Sequence, residues 1–404
     1  MEGWKKYRLS DICDLIPGFA FKSVDFGDFP TKAIKIGDIQ PPYVNYATMA
    51  GVNTEAYNKT KLEKFVVRRG DFVLAMTGAT IGKLGLYIED TPAYLNQRVL
   101  LFRPHSDVNE RYVYYALLSP LFQKYIFNHI DSETAQPNIS GRSVSGFEIS
   151  LPSRAEQDRI ADILSTIDDK IALNNRINHN LEEQAQALYK SWFVDFEPFN
   201  ENNFVDSELG LIPEGWCVYS LSQLMDIKRG SSPRPIQNYM SNSGLKWLKI
   251  SDATCCASPY IFTIHECIKE TGLKNTVFRK QGTLVLSNSA TPGLPKFLGI
   301  DTCIHDGWLY FENSRLSNPF MYLMFLHFRD ILLSQANGSV FVNLKTDIVK
   351  NLKIALPSGI IINQFDKIIT ALFSDIQHCT EENNSLIRQR DLLLPQLING
   401  LLPC

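Results

Sequence analysis

Thr77-Gly-Ala-Thr-Ile-Gly82-Lys83-Leu84 most invites a catalytic reading, because glycines before a lysine are how a backbone loop wraps a phosphate. Two features exclude a nucleotide-binding P-loop. Only three residues separate the glycines where four are needed, and Leu84 stands where a Ser or Thr would hold magnesium. What survives is a tight turn beside a cation: glycine permits close backbone approach, and the neighbouring lysine can meet a phosphate. Ser289-Ala-Thr-Pro-Gly293-Leu-Pro-Lys296 repeats the pattern in shifted form, with Lys296 as the expected counterpart of Lys83. His265-Glu-Cys267 lacks the downstream Pro-Cys-x-x-Cys of a zinc deaminase, and neither HExxH nor GxSxG occurs. Cys13, Cys217, Cys255, Cys256, Cys267, Cys303, Cys379 and Cys404 form no CxxC pair and no regular spacing. Neither a disulfide framework nor a zinc ribbon is expected.

Gln40-Pro41-Pro42-Tyr43 is close to the Asp/Asn-Pro-Pro-Tyr motif with which adenine methyltransferases hold a target amino group. Here Gln replaces the short side chain, no glycine-rich methyl-donor loop follows a strand, and the motif is not repeated. No catalytic residue and no metal ligand is assigned. Recognition chemistry is better represented. Phe19-Ala-Phe-Lys22-Ser23 and Lys228-Arg229-Gly-Ser231-Ser-Pro-Arg234 put basic side chains beside turns, where they suit phosphates. A single such residue is most often a solvated surface group; recurrence at matched positions points to function. Asn96-Gln97-Arg98 aligns with His305-Asp306-Gly307, and Arg, Asn and Gln can read base edges bidentately. Different side chains at aligned positions are what two readers of different sequences would need. The candidate nucleic-acid contacts are Lys22, Ser23, Lys83, Asn96, Gln97, Arg98, Arg142, Lys228, Arg229, Ser231, Arg234, Lys296 and Lys345.

The matches arise because the chain is a tandem duplication. Trp4-Lys-Lys-Tyr7-Arg-Leu9-Ser10 aligns with Trp216-Cys-Val-Tyr219-Ser-Leu221-Ser222 at an offset of 212, which also brings Asp14 and Gly18 onto Asp226 and Gly230. Ile34-Lys-Ile-Gly-Asp38 echoes Leu248-Lys-Ile-Ser-Asp252, and Arg69-Gly-Asp-Phe-Val-Leu74 echoes Lys280-Gln-Gly-Thr-Leu-Val-Leu286. Thr134-Ala-Gln-Pro-Asn138-Ile matches Ser339-Val-Phe-Val-Asn343-Leu, and Ile149-Ser-Leu-Pro152 matches Ile354-Ala-Leu-Pro357. Each copy should end in a strand closed by Leu-Pro. Short β-branched and aromatic runs such as Asp71-Phe-Val-Leu-Ala75 and Arg98-Val-Leu-Leu-Phe102 predict strands, and residues 110–128 predict a helix. Each lobe is expected to be mixed α and β.

After each Leu-Pro the pattern changes. Residues 153–197 lack Gly and Pro and place Ile160, Leu164, Ile167, Ile171, Asn174, Asn178, Leu181, Ala185, Leu188 and Trp192 at alternating steps of four and three. That is an unbroken heptad seam. At an offset of 209 the second copy supplies Ile369, Phe373, Ile376, Thr380, Asn383, Ile387, Arg390, Leu394, Leu397 and Leu401, with Pro395 expected to kink or end the helix. About 35 helical residues would span roughly 50 Å. Two such helices in one chain can satisfy each other, and the short return through residues 198–212 predicts an antiparallel intramolecular coiled coil with pseudo-twofold symmetry. The pairing residues are expected to be Ile160, Leu164, Ile167, Ile171, Asn174, Leu181, Leu188, Ile369, Phe373, Ile376, Asn383 and Leu397. A buried Asn costs stability while fixing register. Asn174 and Asn383 either have that role or face solvent, and the pattern leaves both open. The expected fold is α+β: a first recognition lobe over 1–152, a central spacer helix over 153–197, a linker over 198–212, a second lobe over 213–357 and a C-terminal spacer helix over 358–404.

With 404 residues, 45% of them apolar, the chain has material for two or more folded units, which excludes a disordered or fibrous protein. Its 40 Lys and Arg against 43 Asp and Glu give −3, a balance that does not announce a nucleic-acid binder. Divided by segment, residues 1–152 carry +1 and 213–357 carry +5, whereas 153–212 carry −7 and 358–404 carry −2. Weakly basic lobes suit phosphates and acidic helices suit protein partners. No apolar signal core opens the chain and no stretch nears the ~18 apolar residues of a membrane span. A cytoplasmic protein with no membrane partner is expected.

The mixed lobe ending in Leu-Pro is followed by Glu156-Gln-Asp-Arg-Ile-Ala-Asp-Ile-Leu164-Ser-Thr-Ile-Asp-Asp-Lys-Ile171, then Asn174-Asn175 and Leu181-Glu-Glu-Gln-Ala-Gln-Ala-Leu-Tyr-Lys-Ser-Trp-Phe193. This combination resembles the specificity subunit of Type I restriction-modification systems. Arg69-Gly-Asp and Gly78-Ala-Thr-Ile-Gly-Lys83 resemble that family's target-recognition domains. The resemblance spans essentially the whole chain, with its motifs in order, twice. The second copy departs where the interval from Pro357 to Gln364 is two residues longer and where Ala290-Thr-Pro-Gly293 replaces Gly-Ala-Thr-Ile-Gly. The resemblance implies a non-catalytic subunit that reads double-stranded DNA as a bipartite target, one lobe per half, with the helices setting the gap. It implies no cofactor in this chain. Two methyltransferase (modification) subunits would dock on it and methylate adenine N6 with S-adenosylmethionine, and restriction subunits can join them, using ATP and magnesium. Two alternatives stay open: a coiled-coil adaptor that joins proteins without touching DNA, and a stand-alone adenine methyltransferase using Gln40 to Tyr43.

Overall fold

The computed structural model describes residues 4–131, 137–335 and 343–402. The repeat segments that begin at Thr134 and Ser339 therefore lie partly outside the described residues, and Cys404 lies wholly outside them. The chain divides into two compact units, Met1–Asp169 with Ile387–Cys404, and Lys170–Leu386. Each unit holds one lobe and a part of each of two long helices.

Both lobes are closed by pairing the start of the repeat with its end. In the first, Lys5–Arg8 runs antiparallel to Glu148–Leu151 with Tyr7 opposite Ile149. In the second, Cys217–Ser220 runs antiparallel to Lys353–Leu356 with Tyr219 opposite Ile354. Leu9 and Leu221 of the Trp-x-x-Tyr-x-Leu-Ser motifs are fully buried where the short helices Leu9–Ile12 and Leu221–Leu224 turn the chain into the lobe.

The first lobe contains a six-stranded sheet in the order Cys13–Pro17, Val99–Pro104, Phe72–Ala75, Leu84–Leu86, Tyr43–Val44, Ile39–Gln40. A four-stranded sheet follows the order Ala50–Val52, Phe26–Ile34, Ala93–Leu95, Val66–Val67. The second lobe repeats the plan with five strands, Asp226–Arg229, Trp308–Glu312, Leu284–Ser287, Pro295–Leu298, Tyr260–Ile261, beside another five-stranded sheet. The shared core of the plan is antiparallel: Leu101 lies opposite Val73 in one lobe and Tyr310 opposite Val285 in the other. Residues 110–128, expected as one helix, form two, Glu110–Leu117 and Pro120–Asn128. Ser119 breaks the run because its hydroxyl accepts the Phe122 N–H as an N-cap, and Pro120 takes the first helical position, where no donor is needed.

The long helices are Arg154–Phe193 and Gly359–Ile398, each of 40 residues and so about 60 Å long. Both follow a Leu-Pro-Ser. The Ser153 carbonyl accepts the Gln157 N–H at 2.9 Å, and the Ser358 carbonyl accepts the Ile362 N–H at 3.3 Å. Pro395 does not stop the second helix, which runs on to Ile398. It lies in the last turn, where the lost hydrogen bond is least disruptive. The turn closes through Gly400 (φ +63°), with Leu401 N–H on Gln396 O at 2.8 Å and Gly400 N–H on Leu397 O at 3.1 Å.

In the first unit Ile160, Leu164, Leu394, Leu397 and Ile398 are buried in the same core as Phe72, Phe102 and Tyr112. Each such side chain stabilises the unit by about 1.5–3 kcal/mol relative to an exposed one. In the second unit the pairs Asn174 with Asn383, Asn178 with Thr380, and Phe193 with Phe365 show the helices running antiparallel. Ile369, Phe373 and Ile376 are sealed there, and Ile171 is 8% exposed. The seam is looser than the heptads predict at Ile167, Leu181 and Leu188, which are half-buried. Ile387 is 37% exposed, and Leu401 lies past the helix end.

Candidate nucleic-acid interface

Four backbone hydrogen bonds build the same loop scaffold in each lobe. In the first, Gly18 N–H donates to Val99 O, Met76 N–H to Arg98 O, Ile139 N–H to Met76 O and Gly82 N–H to Ala75 O, each at 2.9 Å. In the second, Gly230 N–H donates to Trp308 O (2.8 Å), Asn288 N–H to Gly307 O (2.9 Å), Leu344 N–H to Asn288 O (2.7 Å) and Gly293 N–H to Ser287 O (2.8 Å). Asn96-Gln97-Arg98 and His305-Asp306-Gly307 therefore occupy equivalent backbone positions, as aligned from the sequence. The glycines at 18 and 230 are required by contact. A Cβ on Gly18 would lie 1.9 Å from Asn96 O, and one on Gly230 would lie 2.2 Å from His305 O.

The first-lobe candidates sit on this scaffold. Gly78 (φ +72°) and Gly82 (φ +80°) bracket the turn that presents Lys83, which is exposed. Gln97 is exposed, as is Arg98, which adopts the left-handed φ of +67° that non-glycine residues rarely take. Asn96 is 8% exposed; its Oδ1 and the neighbouring Thr77 hydroxyl, 6% exposed, are buried oxygens without a hydrogen-bond partner. An orphaned buried polar atom costs about 1–3 kcal/mol. Lys22, Ser23 and Arg142 are exposed. The phenylalanines beside Lys22 are structural: Phe19 and Phe21 pack edge-on at 4.9 Å and against Tyr57 at 5.1 and 5.4 Å.

The second lobe corrects one expectation outright. The turn after Ser287 is one residue shorter than the turn after Ala75, so Gly293 matches Gly82 and Leu294, not Lys296, stands in the place of Lys83. Lys296 falls inside the strand Pro295–Leu298, opposite Val285, and is 5% exposed. Its ammonium donates to the carbonyls of Cys256 (2.7 Å) and Ser258 (2.6 Å), and burial pushes its pKa down. It holds a loop and cannot reach a phosphate. Lys228 is exposed but paired with Glu312 at 2.5 Å, which also receives Arg279 at 2.7 Å. Arg229 donates to the Asp306 carbonyl, and the half-buried Ser231 donates to Asn275 O at 3.2 Å. Arg234, with 81% of its side chain exposed, stands 3.5 Å from the Asp306 carboxylate. Lys345 is exposed at the start of the helix Thr346–Asn351.

A cleft of about 860 Å³ opens at this scaffold, lined among others by Pro233, Arg234, Trp247, Lys249, His305 and Asp306. His305 Nδ1 lies 2.8 Å from the Gly307 N–H and so accepts from it, leaving Nε2 as the protonated nitrogen. Burial pushes the His305 imidazole below its ordinary value; Lys249 and Arg229 add to this, and Asp306 opposes it. The Ser232 hydroxyl donates to Asp306 at 2.6 Å and holds the carboxyl below the usual range. Of the further lining residues, Lys249 carries a sequence signal in the echo of Ile34-Lys-Ile-Gly-Asp38, since Lys35 and Lys249 open equivalent turns, their N–H groups donating to Asp38 (2.8 Å) and Asp252 (3.0 Å), whereas Trp247 aligns with Ala33 and carries none.

Gln40 to Tyr43 form a hairpin turn. Gln40 Oε1 accepts from Asn45 Nδ2 at 3.0 Å, and the Pro42 carbonyl accepts from Leu86 N–H (2.9 Å) and the Tyr114 hydroxyl (3.1 Å). Packing accounts for the motif. Among the described residues no group of three or more His, Cys, Asp or Glu gathers to hold a metal, and no helix is long and apolar enough to cross a membrane.

Two copies of one loop scaffold, each carrying its own set of exposed polar side chains and each attached to a long helix, define a duplicated recognition protein. Residues 1–183 and 213–389 both match the Type I restriction modification DNA specificity domain, and the chain belongs to that family. It is 27% identical over 340 residues to the Type I restriction enzyme MjaIX specificity subunit of Methanocaldococcus jannaschii, covering 81% of this chain and 77% of that one. It is 24% identical to the HindI specificity subunit of Haemophilus influenzae, covering 99% and 100%. The crystal structure of a Type I restriction-modification S subunit from M. genitalium shares the fold at a TM-score of 0.60 and 15% identity, covering 98% of this chain and 96% of that one.

Proposed function

We propose that the chain is the DNA-recognition subunit of a Type I restriction-modification complex, with each lobe reading one half of a gapped target. The observation that carries this reading is the loop scaffold built twice with the same backbone hydrogen bonds but different side chains, Asn96-Gln97-Arg98 in one lobe and His305-Asp306-Gly307 in the other. The lobe boundaries follow the repeats, 1–152 and 213–357. Lys22, Lys83, Arg142, Arg234 and Lys345 are the exposed cations that supply phosphate contacts, which position the lobe without specifying sequence. Gln97, Arg98, His305 and Asp306 face base edges. The helices set the gap and carry two modification subunits, which bring S-adenosylmethionine and the adenine-N6 transfer; this chain supplies no catalytic group. Restriction subunits join with ATP and magnesium where the system has them, and the complex works in the cytoplasm. The weak basic charge of the lobes, +1 and +5, accords with a subunit that grips the duplex with its partners rather than alone. Comparing adenine methylation in cells that express the modification partner with and without this chain tests the reading. Loss of one gapped motif is expected, and an unchanged methylome would overturn it.

A further inference from the structure

Resting on the reading just given, we infer that Asp306 is a base-reading residue of the second lobe, accepting a hydrogen bond from the exocyclic amino group of a cytosine or adenine in the major groove. A carboxylate on a DNA-facing loop repels phosphates, so its useful partner is a base donor, and cytosine N4 and adenine N6 are the amino donors that the major groove presents. Asp306 is placed for this. Its backbone is fixed by the scaffold that holds Gln97 in the first lobe, and its carbonyl is held by Arg229. One carboxylate oxygen is oriented by the Ser232 hydroxyl at 2.6 Å, and 40% of the side chain remains exposed beside the cleft.

The neighbours complete the chemistry. His305 uses Nδ1 to accept the Gly307 N–H, so Nε2 is the donor of the ring, while Nδ1 is the nitrogen nearest the carboxylate, at 3.9 Å. Gly307 is required for this arrangement, because a Cβ there would lie 2.2 Å from the His305 ring. Adenine would present N6 to the carboxylate and N7 to a neighbouring donor such as the His305 Nε2–H, whereas cytosine would engage the carboxylate alone. Arg234 donates to the other carboxylate oxygen at 3.5 Å, and with 81% of its side chain exposed it can also meet the DNA backbone.

The test is selection of duplexes from a randomised library by the chain assembled with its modification subunit, comparing wild type, Asp306→Ala and Arg234→Ala. Asp306→Ala should relax the preference for adenine or cytosine at one position of one half-site by about 5- to 150-fold, leaving the other half-site unchanged. The unchanged half-site checks assembly, and retained preferences at the other positions of the altered half-site check that the second lobe is folded. Arg234→Ala should weaken binding evenly across sequences. A His305→Gln variant separates the two bases: it alters selection at that position if the base is adenine and leaves it if the base is cytosine. Asp306→Ala with every base preference intact overturns the inference. If wild type itself selects no sequence, the proposed function fails instead.

Discussion

Asn174→Leu is the perturbation whose effect the structure determines best. Asn174 has no exposed surface, and its Nδ2 donates to Asn383 Oδ1 at 2.9 Å and to Glu382 Oε2 at 2.7 Å. Asn383, 6% exposed, returns a bond to Asn175 Oδ1 at 2.9 Å, and Asn178 donates to Thr380 Oγ1 at 3.1 Å. These side chains form a polar layer across the second unit's part of the seam, flanked by Ile171 and Ile376. Removing Asn174 leaves Asn383 Oδ1 buried without its donor, a penalty of about 1–3 kcal/mol that is reduced by the loss of Asn174's own buried, unpartnered Oδ1. In a cooperative unit of this size that lowers Tm by roughly 2 to 12 °C. Asn383→Leu should cost a similar amount. The double variant removes donor and acceptor together and should recover at least about 1 kcal/mol relative to the sum of the singles, because a matched apolar pair leaves less unsatisfied. Urea unfolding of the full chain, followed by helical circular dichroism as a double-mutant cycle, measures the coupling. Single effects that add to within about 0.5 kcal/mol would refute the claim that this layer is an energetically coupled register lock.

Three further outcomes follow from other contacts. Arg390→Met in the first unit leaves the half-buried Asp168 with only the Tyr115 hydroxyl (2.8 Å) in place of its 3.0 Å guanidinium, and should cost about 1–3 kcal/mol in thermal unfolding; no measurable loss would contradict the pairing. Gly18→Ala and Gly230→Ala each drive a Cβ into a carbonyl oxygen, so each should cost about 1–3 kcal/mol and degrade one half-site of the methylated motif; damage to both halves would be contrary. Because burial holds the His305 pKa below 6.5, the unfolded chain binds more protons than the folded one as pH falls through the ordinary imidazole range. Stability of the second unit conferred by the neutral ring is therefore present above about pH 6.5 and declines as pH falls toward the depressed folded pKa, by at most about 1.4 kcal/mol per pH unit. Unfolding midpoints at pH 7.5 and 5.5 should be lower at 5.5 in wild type, with a smaller drop in His305→Gln; equal drops would refute the role of His305.

The elements legible in the sequence were those with a local or periodic signature. The Trp-x-x-Tyr-x-Leu-Ser and Leu-Pro segments appeared as markers of repetition, and their pairing as Tyr7 with Ile149 and Tyr219 with Ile354 gives the marker its physical meaning. Heptad steps located the long helices, and the 209-residue offset brought Asn174 onto Asn383, which do meet. Apolar periodicity alone concealed the break at Ser119-Pro120, although capping chemistry signals it. The candidate site was legible where backbone geometry is repeated and illegible where side chains meet at a distance. Lys296 was misread because one deleted residue in a turn moves a lysine from loop to strand, and only the strand register reveals it. The cleft joining Trp247 and Lys249 to His305 depends on chain segments more than fifty residues apart, which no spacing rule links.

Exchange of one lobe tests the central claim most directly. Residues 1–152 would be replaced by the corresponding lobe of another member of the family, the chain expressed with its modification partner, and methylated adenines mapped across the genome. One half-site should change, with the other half and the gap preserved. A change in both halves, or in the gap, would contradict an account in which each lobe reads independently and the helices alone set the distance.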